Sequence, residues 1–276
     1  MEWTLMALDY PALLDELRQE SDGLVELLHG AEDFDLATPA AGWAIRDQIS
    51  HLAYFDDAAV SAIRTPDRFR VDAAELIADG MDFPDRIAVT YREIPAAGLL
   101  DWFVQARQNL LATLGEAEPR ARIPWYGPEM SIASMATARL METWAHGQDV
   151  YDAVRLPHPA NPGLRSIAHL GVGALPFVHT LNGLEVPADP VRVELIDPIT
   201  QVRWVWGPES ATNTVAGPAE DFVLAVTQRR NVADTALTVT GAVATAWMRI
   251  AQAYAGAPGA GRDRAATTAT PTGDPT

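Results

Sequence analysis

The sequence predicts an α+β protein, a bundle of four long helices followed by a small mixed segment. Two patterns carry this reading. Apolar residues recur at helical spacing through most of the first 154 positions, with acids between them. After residues 158–163 (HPANPG) the texture shifts to short runs in which apolar and polar residues alternate, as in half-buried strands.

The first helix is expected over 11–29, where Leu13, Leu14, Leu17, Leu24, Val25, Leu27 and Leu28 share helical spacing and Pro11 suits a first turn. Pro39 and Gly42 break the pattern. A second helix is expected over 44–64. Its cap position, Ala44, has no side-chain oxygen, but Asp47 lies three residues on, where a carboxylate favours a helix start. Residues 66–94 are rich in Asp, Pro and Arg and read as a short helix plus a connection. A third long helix is expected over 96–115 and a fourth over 131–154.

Beyond Gly163 one more helix is expected over 164–178. VRVELID and QVRWVWG read as two short strands joined by a turn, 217–229 as a helix, TALTVTG as a strand and AVATAWMRIAQAY as a last helix. The expected organisation is a helical domain over 1–158, an α+β domain over 159–256 and a disordered tail over 257–276, where Ala, Gly, Pro and Thr leave no packable pattern.

Composition excludes several chemistries. Cysteine is absent, so no disulfide, thiolate metal site or cysteine nucleophile is available. Lysine is absent too, which removes Schiff-base catalysis and a complete P-loop. The net charge of −17 repels nucleic acid and anionic membranes. No apolar run approaches the roughly 18 residues of a membrane span, and the acidic start does not resemble a secretory signal. The expected compartment is the cytoplasm and the expected partner a small molecule.

Chemistry concentrates in three residues. Glu142 and His146 are four apart on the fourth long helix, hence on one face and about 6 Å apart along the axis. His51 lies on the second. If those helices are neighbours, the three side chains form a His/Glu/His metal centre with an open position, as in catalytic zinc sites. An ordinary surface glutamate and two singly bonded core histidines would give the same letters. The apolar Met141, Trp144, Ala145 and Val150 beside them argue for burial, where a glutamate needs a partner. Asp149 and Asp47 lie three residues after His146 and four before His51. Each can sit beside its histidine and orient the ring, or serve as an exposed helix acid or, for Asp47, a cap.

Residues 38–56, TPAAGWAIRDQISHLAYFD, resemble the Gly-Trp…Asp…His-Leu signature of the DinB-like helical-bundle superfamily. METWAHGQDVYDA resembles its second metal motif, and the whole order is similar to the mycothiol-dependent maleylpyruvate isomerase group of actinobacteria. The resemblance runs to about residue 259, and the segment 229–259 resembles an uncharacterised metal-binding subfamily. It implies a four-helix metal-binding domain followed by a C-terminal domain like the sterol carrier proteins. It places the metal ligands at His51, Glu142 and His146, with zinc the default ion and iron(II), nickel or manganese as alternatives. In that group an arginine of the C-terminal domain serves the reaction. Arg229 and Arg230 are candidates by location, although positive charge near the end of a helix is favourable for its own sake.

The expectation is therefore a metalloenzyme that activates the thiol of mycothiol, or water, for isomerisation or thiol transfer on a small electrophilic metabolite. A metal- or apolar-ligand-binding protein without turnover, and a metal-dependent hydrolase or cyclase, are the alternatives.

Overall fold

The computed structural model describes residues 9–31 and 33–265. The chain starts with α1 (Tyr10–His29), α2 (Ile45–Arg64), α3 (Pro66–Ala78), α4 (Phe83–Thr90) and α5 (Ala96–Glu116). A two-stranded ribbon, β1 (Arg122–Ile123) and β2 (Met130–Ser131), leads into α6 (Ile132–Val154). Then come α7 (Leu164–Gly173), α8 (Leu175–Leu181), β3 (Val191–Ile196), β4 (Arg203–Trp206), β5 (Asn213–Pro218) and α9 (Ala219–Val226). A 3₁₀ turn at Val232–Asp234, β6 (Thr238–Thr240) and α10 (Ala242–Ile250) complete it.

The long helices α1, α2, α5 and α6 form the bundle, each packed against two others in the ring order α1–α6–α2–α5. Local chemistry sets their ends. Asp9 accepts from the Ala12 amide at the start of α1, and Ser131 accepts from the Ser134 amide at the start of α6. At α2, Asp47 Oδ2 accepts from the Ala44 amide at 2.9 Å, which supplies the acceptor that alanine lacks.

One polar knot interrupts the apolar core. Asp56 on α2 is fully buried and takes Arg107 Nε of α5 at 2.7 Å and Arg139 Nε of α6 at 2.9 Å. Arg107 also reaches Thr143 Oγ1 at 2.9 Å. Burial would penalise these charges severely without such pairing. The pairing ties three bundle helices at one level.

The C-terminal sheet has the order β4-β3-β5-β6. β3 pairs antiparallel with β4 and parallel with β5, while β5 and β6 are antiparallel. Val193, Leu195, Trp204 and Val215 form its inner face, and Phe222 and Trp247 belong to the same core. That core continues through Ile167 and Leu164 to Leu140 and Trp144 of α6, so bundle and sheet share one apolar interior. Gly241, with φ of 89°, turns the chain from β6 into α10 against Asn213, whose Oδ1 accepts from the Val243 amide at 3.0 Å.

Several elements differ from the sequence expectation. Residues 66–94 hold two helices rather than one. The single helix expected over 164–178 is two, because Pro176 opens α8 just after α7 has ended. The helix expected from 217 begins at Ala219, since Asn213–Pro218 is the strand β5, made by parallel pairing to β3 that no local pattern announces. The last helix stops at Ile250 instead of running to 254. From there to 265 the chain has no regular structure, and several of its residues are hydrogen-bonded to the rest of the protein. Gln252 Oε1 accepts from the Gly259 amide at 2.9 Å, Asn231 Nδ2 donates to the Arg262 carbonyl at 2.9 Å, and the Ala265 amide donates to Asp234 Oδ2 at 2.7 Å. The remainder of the expected tail, 266–276, lies outside the described residues.

Candidate metal centre

Antiparallel packing of α2 on α6 decides the site. His51 Nε2 lies 3.8 Å from Glu142 Oε2, and His146 Nε2 lies 3.1 Å from the same oxygen. The two imidazole centroids are 4.3 Å apart. One ligand atom from each residue falls within 4.8 Å of the others, and these three are the single such group among the described residues. Both rings are buried, while the Glu142 side chain keeps 23% of its exposure. Of the three side chains, Glu142 is the most exposed.

Aromatic residues wall the rings. Trp43, from the loop before α2, stacks on His146 at 5.8 Å and 16°, and its centroid is 5.4 Å from that of His51. Phe55, one turn after His51, lies 4.6 Å from it. Trp43 Nε1 donates to Asp85 Oδ1 of α4 at 2.7 Å, which pins the indole in place. A cleft of about 750 Å³ lies along this loop, lined by Thr38, Trp43, Arg46, Asp47 and Arg92 among others. None of the three candidate ligands lines it.

Burial shapes the electrostatics. It lowers the pKa of His51, and burial together with the charge of His51 lowers that of His146 to about 3. Burial alone would raise the Glu142 carboxyl. The neighbouring His146 and His51 outweigh it and hold the group well below the usual carboxylate range. The centre therefore offers two neutral imidazole nitrogens and one carboxylate oxygen, a donor set that suits a divalent transition ion.

The other candidates from the sequence lie nearby but face elsewhere. Asp47 is bound by Arg92, with Nε to Oδ1 and Nη2 to Oδ2 both at 2.9 Å, besides capping α2. The Nδ1 of His51 is buried without a hydrogen-bond partner among the described residues. Asp149, fully buried, sits between two guanidiniums: Arg229 Nε is 3.0 Å from Oδ2 and Arg262 Nη2 is 2.5 Å from Oδ1. Burial raises the pKa of Asp149 and the two arginines oppose this. Arg229 Nε also donates to the Ala145 carbonyl at 3.0 Å, which fixes it against α6 beside the centre, where its charge helps depress both histidines. Arg230 is held away by Asp152, with two bonds of 2.6 Å.

Two contributors were not singled out from the sequence. Gln48 Oε1 meets His146 Nδ1, and Arg262 comes from the expected tail. Gln48 is three residues before His51 on the same helix, so its place one turn away was legible. Its meeting with His146 depends on the α2–α6 packing. Nothing local marks Arg262.

The N-terminal domain of mycothiol maleylpyruvate isomerase matches residues 14–151, a span that contains all three candidate ligands. The chain belongs to that family. Two uncharacterized proteins of Mycobacterium tuberculosis, from two strains, are each 43% identical to it over 250 residues, covering 90% of this chain and 96% of theirs. The crystal structure of the mycothiol-dependent maleylpyruvate isomerase superposes with a TM-score of 0.55 at 13% identity, covering 84% of this chain and 93% of that one. A histidine-to-alanine mutant of that isomerase gives 0.56 with the same identity and coverage. At that identity the likeness shows the fold, a helical N-terminal domain followed by a small sheet domain. Among the described residues, no helix is long and apolar enough to cross a membrane.

Proposed function

We propose that this maleylpyruvate isomerase family member is a metal-dependent enzyme. It activates a small-molecule thiol such as mycothiol, or water, for isomerisation or S-transfer on a small electrophilic metabolite. The observation that carries the reading is the convergence of His51, Glu142 and His146 on one point, with Glu142 the most exposed of the three.

A divalent ion, zinc by preference, would be held by those three side chains and would supply positive charge that lowers the pKa of a thiol or water at its free position. The chain's own residues prepare this. Depressed pKa values keep both imidazoles neutral at neutral pH, so protons do not compete for the ligand nitrogens. Trp43 and Phe55 exclude water from the imidazole side, which strengthens charge interactions within the pocket. Arg229, fixed beside the centre, supplies positive charge suited to an anionic substrate, whereas Arg230 is committed to Asp152. The absence of cysteine is consistent with a thiol brought by a small molecule.

A thiolate that adds reversibly to an alkene conjugated with a carbonyl turns the double bond into a single bond. Rotation about it and expulsion of the thiolate give the geometric isomer and regenerate the thiol. Displacement of a leaving group would instead give a stable thioether.

The test is elemental analysis of the purified parent beside His146→Ala, followed by assays of electrophilic unsaturated acids with and without mycothiol. About one equivalent of metal in the parent, most of it lost in the variant, supports the centre. Turnover that needs mycothiol supports the thiol route. Turnover without it points to water, and a metal-loaded chain inert under both conditions points to a binding protein.

A further inference from the structure

Resting on that reading of the centre, we infer that Thr38 and Gln48 form a relay that fixes the proton of His146 on Nδ1, so that Nε2 is the nitrogen given to the cation. Direction in this relay is set by its far end. The Trp43 carbonyl can only accept. Thr38 Oγ1 lies 2.9 Å from it and must donate its hydroxyl proton there. The remaining role of Thr38 Oγ1 toward Gln48 is as acceptor, and Gln48 Nε2 sits 2.8 Å away as the donor. This orients the Gln48 amide, leaving Oε1 toward His146 Nδ1. An amide oxygen can only accept, so Nδ1 carries the proton.

The consequence lies on the other side of the ring. With Nδ1 protonated, the Nε2 lone pair of the neutral ring faces Glu142 Oε2 at 3.1 Å. Two acceptors at that distance repel unless a positive charge is near both, and a divalent ion held by His146 and Glu142 would supply it. His51 has no corresponding device among the described residues, since its Nδ1 is buried with no partner there. The centre is therefore asymmetric. His146 is held in tautomer and angle by Gln48 of α2, itself oriented by Thr38 of the preceding loop, and His51 is held by packing against Phe55 and Trp43. Gln48 and Thr38 are positioning residues, acting through His146.

The experiment uses the full chain. Nitrogen-15 shifts of the His146 ring are recorded in the metal-free protein at about pH 8, where an unperturbed imidazole is neutral. Zinc affinity is then measured by chelator competition for the parent, Gln48→Leu, Gln48→Glu and Thr38→Val. A proton on Nδ1 is expected in the parent. Gln48→Leu should lose that fixed proton and bind zinc about 10- to 100-fold more weakly, the usual cost of removing an outer partner of a ligating histidine. Gln48→Glu keeps an acceptor and should stay near the parent. Thr38→Val frees the amide to turn over and should fall between the two.

A bare Nδ1 in the parent, or a Gln48→Leu chain that binds zinc as tightly as the parent, overturns the relay. If Gln48→Leu does not fold, the parent's ring spectrum decides alone. If the parent binds no zinc, the proposed function falls, while the same spectrum still decides the relay.

Discussion

Arg262 crosses 113 residues of sequence to place Nη2 on Oδ1 of Asp149, a fully buried carboxylate one helical turn past His146. Its Nη1 also donates to the carbonyl of Pro39, in the loop that carries Thr38 and Trp43. One guanidinium thus ties the C-terminal segment to both walls of the candidate centre.

Arg262→Met should therefore destabilise the chain by about 1.5–3 kcal/mol, the range for hydrogen bonds to a charged group, leaving Asp149 paired with Arg229. Urea denaturation measures it. The same variant should expose residues 251–265 to limited proteolysis. A chain of unchanged stability and unchanged cleavage would mean that the clip contributes nothing.

Asp56→Asn is expected to cost more, about 3–5 kcal/mol, because it leaves Arg107 and Arg139 buried without their counter-charge. The readout is again chemical denaturation. Its effect on metal content should be small in chain that remains folded, since the Asp56 carboxylate is occupied by the two arginines.

Glu142→Gln removes the anionic ligand of the centre. Zinc affinity should fall by more than the about 10- to 100-fold that outer-partner changes produce. Chelator competition checks this, and a variant that matches the parent would show that the carboxylate is no ligand.

Acid should weaken the metal-free chain through His146. Its pKa is pushed down from 6.5 to about 3 by burial and by His51, so between those values the folded chain binds fewer protons than the unfolded one. Stability from this source is complete above about 6.5 and is lost as the pH falls towards about 3. Urea midpoints taken downward across that window should drop, and His146→Gln should flatten part of the slope. Equal slopes in parent and variant would assign the acid sensitivity to other groups.

Much of the fold was legible because the bundle helices carry their own signals. Leu13, Leu17, Leu24 and Leu28 mark the buried stripe of α1, and Asp47 three residues past Ala44 marks the start of α2. The i,i+4 spacing of Glu142 and His146 put both on one face before any packing was known. Strand β5 was not legible. Its residues pair directly with β3 in parallel although β4 lies between them in sequence, and parallel pairing leaves no turn to announce it. The hydrogen-bonded course of the segment 257–265 was not legible for a related reason. Ala, Gly and Pro bury little surface, so its order comes from hydrogen bonds to Gln252, Asn231, Asp234 and Asp149, all remote from a local pattern.

By itself the sequence settled which side chains could take part in chemistry here: no thiol, no lysine, and a glutamate and histidine presented together by one helix. Periodicity does this because it is local, governed by 3.6 residues per turn. Only the tertiary structure decided that His51 closes the group, that Gln48 rather than Asp47 meets a ring of the centre, and that Asp149 serves two arginines instead of His146. Those outcomes depend on how α2 seats on α6 and where a distant guanidinium lands, and buried charge goes to whichever partner the packing brings within reach.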